Sequence, residues 1–477
     1  MVNPSVGLVP STAARHPEAR FPYILAAWAL LLALAPAGQA QTARDSLEER
    51  FARATARYGE QYVRLRQSRG YDPGVGSCGG AGEVPVGECD SVPLEYDIVQ
   101  GLVYEHLPSS GLLFYSPEAG GLDVWLVTAT GAPAFARVEG GADSLRTAHS
   151  RLRRAMRVDE LQASRAPRFR GVETEMPGDR PALDPSLDRV TDLLLPHEIR
   201  GRLAGLDGLV VVPAGEIGTV PFAALRPFGT DGALVDSMTV SIAPSLPDFV
   251  ATLGREASQR ANWTPTNRRF GAPLVVGGPA FRPDGQDPHL PSLPGSAAEA
   301  YAVGRLVGSV PLIGSEARLD TVRARMRTAS LLYFATHGVS DPESPLDGGG
   351  LYFAGDERLS VREIQNTPLD AAYLVVLSAC QTGLGRADSA GVVGLARAFT
   401  LQGARHVVMS LWSVDDAATT DLMTAFMTRL LATCGRLCDV PGALRVAQLA
   451  ARERWPDDPA RWASFVHFGV PPRRDRR

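Results

Sequence analysis

Lysine is absent from this sequence, and all 48 basic residues among its 477 residues are arginines. Without lysine there is no Schiff base with pyridoxal phosphate, no phosphate-binding lysine of a P-loop and no Ser-Lys nucleophile pair. The motifs G-x-S-x-G and H-E-x-x-H and the calcium-binding EF-hand loop are absent as well. Any chemistry that the chain performs therefore depends on Cys, His, Ser, Asp, Glu or Arg.

The chain also lacks an excess of charge of one sign. Its formal net charge is −4, whereas a nucleic-acid surface needs clustered positive charge, so we predict no nucleic-acid partner. Hydrophobic residues make up 45% and charged residues 21%, which excludes a collagen-like, coiled-coil or fully disordered chain. The length is enough for about three globular domains.

Long hydrophobic runs are scarce, and the one that stands out is Tyr23–Leu34 near the N-terminus. Arg15 and Arg20 precede it, and a run of small residues ending at Ala40 follows it. These are the parts of a secretory signal peptide over residues 1–40, so we predict a periplasmic or secreted protein. An uncleaved N-terminal membrane anchor is the alternative, although a span needs about 20 residues. We expect no membrane span after signal removal.

Cysteine is rare, with five residues in the chain. In an exported protein two nearby pairs are candidates for disulfides, Cys78 with Cys89 and Cys434 with Cys438. A four-cysteine zinc site would require the two pairs to meet in space, and the ten residues that separate the first pair are unusual for zinc. We predict no metal and no cofactor. Cys380 is the cysteine left over from this pairing.

Changes in composition divide the chain into segments. A charged, helix-favouring stretch covers Asp45–Arg69 and a glycine-rich loop covers Gly70–Gly87, with no 34-residue repeat. An exposed polar linker, rich in proline and arginine, is predicted over residues 158–190. The predicted segments are a signal peptide (1–40), a helix with a glycine-rich loop (41–93), an N-terminal α+β lobe with its linker (94–190), and a C-terminal α/β domain (191–470).

The C-terminal segment alternates short apolar runs with helix-length stretches. Continuous apolar runs of this length are typical of parallel strands covered on both faces. The predicted strands are Leu209–Val212, Leu274–Val276, Leu331–Ala335, Tyr373–Ser378 and His406–Leu411. The predicted fold class is therefore α/β, with a doubly wound, mostly parallel sheet.

Two reactive residues follow predicted strands at the point where each strand ends. His337 follows LLYFAT, and Cys380 follows YLVVLSA. Sites in such sheets form at the carboxyl ends of the strands, so the two residues would meet if their strands are neighbours. A nearby His lowers the pKa of a thiol and donates a proton to a leaving amine, and a glycine such as Gly338 lets a backbone N–H approach an oxyanion. The alternative is a buried Cys and a hydrogen-bonded His without a catalytic role.

A series of collinear motifs surrounds these two residues. They are VVVPAGEIGTVPFAAL (210–225), LPGSAAEA (293–300), FATHG (334–338), GGGLYF (348–353), LSVREI (359–364), VVLSACQTGLG (375–385), GLARAFTLQGARHVVMSLWSVDD (394–416), ALRVAQ (443–448) and WASFVHFG (462–469). Together they resemble the CHAT domain, a family of caspase-like cysteine peptidases that often carries tetratricopeptide repeats.

The resemblance covers roughly Leu94 to Val470 and implies a caspase-hemoglobinase-like fold, with a caspase-like peptidase domain over 191–470. It implies that His337 is the general base and acid and that Cys380 is the nucleophile. The backbone N–H groups of Gly338 and Cys380 would form the oxyanion hole.

The sequence departs from the family pattern in two places. It has no repeat array, so a regulatory protein partner would have to be recognised without one or through another protein. The Gly-Glu-Gly that often precedes GLARAF is replaced by Ser389-Ala390-Gly391, which removes any role of that glutamate.

Substrate preference depends on three further residues. Relatives that cleave after basic residues often have an acidic residue two positions before the nucleophile, and Ser378 is at that position here. Asp415 and Asp416 follow another predicted strand, where a buried carboxylate would select Arg or Lys by a charge-assisted pair. The alternative for these aspartates is capping of the helix that follows them.

Two functions fit the sequence. The first is a cysteine endopeptidase with a His337–Cys380 dyad that acts on a protein or peptide substrate, with cleavage after basic residues as its predicted specificity. The second is a catalytically silent CHAT module that serves as a protein-interaction scaffold.

Overall fold

The structure is a computed structural model. It describes residues 46–60, 94–158, 181–229, 232–260, 270–282, 290–339, 341, 344, 346–379, 387–388, 391–392, 394–412, 416–434 and 438–473. The chain divides into two units, residues 1–49 and residues 50–477, and of the first only the helical residues 46–49 are described. The predicted signal peptide, the glycine-rich loop and the Cys78–Cys89 pair lie outside the described residues.

The described strands and helices alternate along the chain. The strands are β1 (Ser110–Glu118), β2 (Gly121–Val127), β3 (Ala134–Glu139), β4 (Gly208–Val212), β5 (Thr239–Ile242), β6 (Leu274–Pro279), β7 (Leu312–Gly314), β8 (Leu331–Ala335), β9 (Gly338–Val339), β10 (Gly350–Tyr352), β11 (Arg358–Ser360), β12 (Leu374–Leu377), β13 (Ala387–Asp388), β14 (Gly391–Val392), β15 (His406–Ser410) and β16 (Phe465–Phe468). The helices are α1 (46–60), α2 (Tyr96–His106), α3 (Gly141–Ala155), α4 (Leu183–Leu194), α5 (His197–Leu203), α6 (Leu234–Ser237), α7 (Leu246–Arg260), α8 (Pro294–Val307), α9 (Leu319–Met326), α10 (Val361–Gln365), α11 (Leu395–Leu401), α12 (Asp416–Thr433), α13 (Val440–Arg454) and α14 (Pro459–Trp462).

One sheet of eleven described strands organises the molecule, in the order β3-β2-β1-β4-β5-β16-β15-β12-β8-β6-β7. Strands β1, β4, β5 and β16 are parallel to one another and form a first block. Strands β15, β12, β8, β6 and β7 are also mutually parallel and form a second block. The blocks join through the antiparallel pair β15–β16. The predicted α/β class with a mostly parallel sheet is confirmed, and the carboxyl ends of the two blocks lie on opposite edges of the sheet.

Burial explains why the strands of the second block read as continuous apolar runs. Every residue of β8, β12 and β15 is buried, because helices cover the faces of the sheet. Helix α8 packs against β6 and β8, and α12 packs against α8. The approach of α8 to β6 requires Gly277, since a Cβ there would lie 2.4 Å from the Cβ of Ala300.

The N-terminal part of the chain joins the same sheet. Strands β2 and β3 extend it antiparallel beyond β1, which pairs in parallel with β4. In α1, Phe51 and Tyr58 are buried and contact Phe114 and Trp125 edge to face. Two segments predicted as separate lobes therefore share one sheet.

The predicted linker over 158–190 is too long at its C-terminal end. Helix α4 begins at Leu183 and buries Leu187, Val190 and Leu194. These residues recur at helical spacing, but the proline and charged residues between them obscured the apolar face. Residues 159–180 of this predicted linker lie outside the described part of the chain.

A disulfide joins Cys434 and Cys438 in the connection between α12 and α13, with the two Cα atoms 4.2 Å apart. This predicted pair is confirmed. The Tyr373 hydroxyl stabilises the connection, because it donates to the Cys438 carbonyl at 2.9 Å and accepts from the Cys438 N–H at 3.0 Å. Among the described helices, none has the length and apolarity needed to cross a membrane.

Candidate functional site

His337 follows the carboxyl end of β8, between that strand and β9. Its side chain is buried, with 1% of the residue exposed. Two hydrogen bonds join this segment to Tyr352 of β10. The Tyr352 N–H donates to the His337 carbonyl at 2.9 Å, and the side-chain hydroxyl of Thr336 donates to the Tyr352 carbonyl at 2.5 Å. The position of this histidine is therefore set by hydrogen bonds to a neighbouring hairpin.

The imidazole of His337 has a defined orientation. Its Nε2 lies 2.7 Å from the carbonyl oxygen of Pro291, and its ring centroid is 5.0 Å from that of Phe281. A carbonyl oxygen can only accept, so Nε2 carries the hydrogen in the neutral imidazole and Nδ1 is the nitrogen with the basic lone pair. The role of Pro291 was missed in the sequence, because a backbone carbonyl has no side-chain signature.

Strand β12, which leads to Cys380, is the neighbour of β8. The register pairs Phe334 with Leu377, and His337 and Cys380 each come three residues later in the chain. Cys380 lies outside the described residues, so its predicted role as nucleophile and its N–H in the oxyanion hole stay predictions. Gly338 begins β9 opposite Leu351, and its oxyanion role likewise stays a prediction.

Ser378, predicted to contact substrate, lies at the end of β12 and is half-buried. Its side chain interacts with the Tyr333 hydroxyl, which donates to Glu299 Oε1 at 2.5 Å. Burial raises the pKa of Tyr333 well above its usual value, and the negative charge of Glu299 adds to this effect. Ser378 thus lies beside a buried polar pair, Tyr333 and Glu299, which the sequence pattern did not reveal.

The next residue, Ala379, is held from the other side. Its carbonyl accepts a 2.7 Å hydrogen bond from the hydroxyl of Ser410, the last residue of β15. Both partners are buried. Ser410 was also missed in the sequence, where it reads as part of an apolar strand.

The predicted specificity residues follow β15. Asp415 lies outside the described residues, as does the side chain of Asp416. Helix α12 begins at Asp416, where the capping interpretation expects a helix start. The start of the helix tests neither a substrate contact nor a capping role of these aspartates, and both stay predictions.

Two other buried histidines lie away from this edge. His406 begins β15, and its Nδ1 is 2.9 Å from Nε2 of His467, whose Nδ1 is 2.9 Å from the Ser241 hydroxyl. Burial, followed by the charge of Arg405, lowers the pKa of His406 to about 3. Burial, followed by His406, lowers the pKa of His467 well below its usual value. Across the described residues, no cluster of His, Cys, Asp and Glu has the form of a metal site.

Comparison with known proteins identifies the family. The model of the CHAT domain matches residues 184–470, which is more than half of the chain. The chain belongs to the CHAT domain family. The CHAT match contains β4–β16 and excludes β1–β3, which the resemblance described above includes.

Two curated relatives are similar to part of this chain. Tetratricopeptide repeat protein 28 of Mus musculus is 28% identical over 299 residues, and its Homo sapiens counterpart is 26% identical over 298 residues. Each alignment covers 55% of this chain and 12% of the relative, so the chain spans about an eighth of the length of these proteins.

Two solved structures are similar at low identity. The Saccharomyces cerevisiae separase-securin complex matches 80% of this chain and 32% of the solved chain, with 11% identity and a TM-score of 0.45. The Arg-specific cysteine proteinase gingipain R matches 67% of this chain and 74% of the solved chain, with 12% identity and a TM-score of 0.43.

Proposed function

We propose that this chain is a cysteine endopeptidase in which Cys380 is the nucleophile and His337 is the general base and acid. The observation that carries the proposal is the hydrogen bond from His337 Nε2 to the Pro291 carbonyl, because it orients the imidazole at the carboxyl end of β8. Membership of the CHAT family and the equal spacing of His337 and Cys380 beyond the Phe334–Leu377 pair support it further.

The reaction runs in two stages. Nδ1 of His337 takes the proton from the Cys380 thiol, and the thiolate attacks the peptide carbonyl carbon. The N–H groups of Gly338 and Cys380 stabilise the oxyanion, the C–N bond breaks, and the imidazolium gives its proton to the leaving amine. Water then attacks the thioester with His337 as base, which releases the carboxylic acid product and restores the thiol. The Pro291 carbonyl keeps the imidazole in the required tautomer and stabilises the imidazolium.

Covalent labelling tests the proposal. A peptide with Arg at P1 and a thiol-reactive group should label the wild-type chain at one residue, Cys380, identified by mass spectrometry. Labelling should disappear in Cys380→Ala and fall at least about 100-fold in rate in His337→Asn. If wild type and Cys380→Ala label equally, the chain is not an enzyme of this kind, and the interaction scaffold becomes the better description.

Cleavage after basic residues is part of the proposal, with Asp415 or Asp416 as the carboxylate that binds the P1 side chain. Asp415→Ala and Asp416→Ala should be compared on peptides with Arg or Leu at P1. The specificity carboxylate should lose turnover of the Arg peptide selectively, whereas a helix cap should lower only the unfolding temperature. If neither substitution changes the Arg-to-Leu ratio, the P1 assignment is wrong.

Export to an oxidising compartment also belongs to the proposal. The disulfide between Cys434 and Cys438 supports it, since such bonds persist mainly outside the reducing cytosol. Alkylation and mass spectrometry of protein purified from the periplasm should find Cys434 and Cys438 protected and Cys380 modified. Free thiols at both positions of the pair would argue against export.

The proposal also includes a regulatory protein partner. The curated relatives are named for tetratricopeptide repeats, whereas the present sequence shows no 34-residue period. Such a partner would therefore be recognised without a repeat array or through another protein.

A further inference from the structure

Side chains from the two neighbouring strands contact the chain just after β12, where the backbone pairing of this strand has ended. Leu377 is the last residue of β12 that pairs with β8 and with β15, through Phe334 and Met409. The two residues that follow, Ser378 and Ala379, precede Cys380 in the chain. Whatever holds these two residues therefore fixes the chain immediately before the proposed nucleophile.

One polar side chain from each neighbouring strand interacts with these two residues. On the β8 side, the Tyr333 hydroxyl interacts with the Ser378 side chain and donates to the buried carboxylate of Glu299 at 2.5 Å. On the β15 side, the Ser410 hydroxyl donates to the Ala379 carbonyl. Tyr333 and Ser410 are buried, so water competes little for these bonds.

We propose that Tyr333 and Ser410 are positioning residues that place the Cys380 thiol against the His337 imidazole. This inference rests on the peptidase function proposed above. Neither hydroxyl needs to touch substrate. Each acts through the backbone before Cys380, and Glu299 holds the Tyr333 hydroxyl in place.

The readout that separates positioning from general stability is the reactivity of the Cys380 thiol. A thiol close to an imidazolium forms its thiolate at lower pH than an ordinary cysteine, which ionises near about 8.5. If the Cys380 segment moves away from His337, the pH midpoint for alkylation of Cys380 rises. A substitution that only weakens the fold does not change this midpoint in protein that is still folded.

The experiment measures the rate of iodoacetamide modification of Cys380 against pH, by peptide mass spectrometry, in wild type, Tyr333→Phe, Ser410→Ala and His337→Ala. Matched controls are Tyr115→Phe and Ser186→Ala. Like Ser410, these residues bury a hydroxyl that donates to a backbone carbonyl, at 2.7 Å in each case, but they lie on β1 and α4. Urea unfolding of every variant ensures that the comparison is made on folded protein.

We expect Tyr333→Phe and Ser410→Ala to raise the alkylation midpoint by about one pH unit and both controls to leave it unchanged. Ser410→Thr, which keeps the hydroxyl, should restore most of the wild-type profile. If the alkylation midpoint of Tyr333→Phe or Ser410→Ala matches that of its control, the substituted residue is not a positioning residue.

The two proposals fail in different ways. If His337→Ala raises the midpoint and neither Tyr333→Phe nor Ser410→Ala does, the dyad stands and the positioning role is wrong. If His337→Ala leaves the midpoint unchanged, the dyad itself is wrong and the positioning role falls with it.

Discussion

The two edges of the second block each carry buried histidine, and the hydrogen-bond partners of these histidines differ. His337 is 1% exposed at the carboxyl edge, whereas His406 is 3% and His467 0% exposed at or near the opposite edge. Burial is therefore the same at both edges. The difference between them lies in the partners of the imidazoles.

The imidazole at the carboxyl edge bonds to a backbone carbonyl. His337 uses Nε2 on the carbonyl of Pro291, in the segment before α8, and sits beyond the end of its strand. His406 and His467 bond to each other from within adjacent strands, and His467 also bonds to Ser241. Under the function proposed above, the position of a histidine relative to a strand end predicts its role better than its burial does.

A buried ion pair connects the two blocks and should give the largest effect on stability. Arg397 Nε of α11, which precedes β15, lies 2.8 Å from Asp248 Oδ2 of α7, which follows β5, and both side chains are 4% exposed. Replacing Arg397 by Met leaves the Asp248 carboxylate buried without its cation, so we expect a loss of about 3–5 kcal/mol in urea unfolding.

The matched control for Arg397→Met is Arg362→Met. Arg362 also pairs with a carboxylate, that of Asp347 at 2.6 Å, but both side chains are largely exposed. The loss there should be below about 1 kcal/mol. Equal losses in the two variants would show that the Arg397–Asp248 pair does not connect the blocks energetically.

The histidine pair should give the next largest effect, as a dependence of stability on pH. The pKa of His406 is about 3 in the folded chain against a usual value of 6.5, so the unfolded chain binds more protons between these pH values. The free energy of unfolding therefore falls as the pH falls through this window. We expect His406 to contribute a loss of about 2 kcal/mol between pH 7 and pH 5, and His467 to contribute a loss in the same direction.

His406→Asn removes one of these titrating groups, and its loss of stability over the same pH range should be smaller by about 2 kcal/mol. His197→Asn, at an exposed histidine in α5, should follow the wild-type curve. Identical pH dependence in wild type and His406→Asn would mean that the pair is not held uncharged by the fold.

The smallest effect is expected at the carboxyl edge itself. Thr336→Val removes the hydrogen bond to the Tyr352 carbonyl that helps to fix the backbone at His337. Its cost in stability should be about 1 kcal/mol, close to that of Thr400→Val, which removes a buried threonine hydrogen bond to the Ala396 carbonyl. Thr336→Val should also lower peptide turnover, and Thr400→Val should not. Equal turnover in the two variants would remove Thr336 from the site.

Much of the second block could be predicted from the sequence. Strands β8, β12 and β15 are buried on both faces, so their apolar runs are continuous, and the run Leu331–Ala335 was predicted with the bounds that the structure has. Helix α4 was missed because proline and charged residues lie among its apolar positions. The opposite directions of the two blocks could not be predicted, since pairing of β15 with β16 joins residues more than 50 positions apart in the chain.

The residues of the candidate site were likewise predicted only in part. His337 was predicted because a reactive side chain follows a clear strand. Pro291, Tyr333, Ser410 and Glu299 were missed, because their contributions depend on a backbone carbonyl or on hydroxyl and carboxylate groups that meet only in the folded chain. The His406–His467 contact was missed for the same reason.

The most direct test of this account measures kcat/KM for a peptide with Arg at P1 in wild type, His337→Asn and His406→Asn, at pH 7.5 on protein shown to be folded. We expect His337→Asn to lose about 100-fold to 10,000-fold, because it removes the general base and acid. His406→Asn should stay within about threefold of wild type, since its imidazole takes no part in the reaction. Turnover that survives in His337→Asn, or falls equally in both variants, would contradict the assignment of the reaction to the carboxyl edge of β8 and β12.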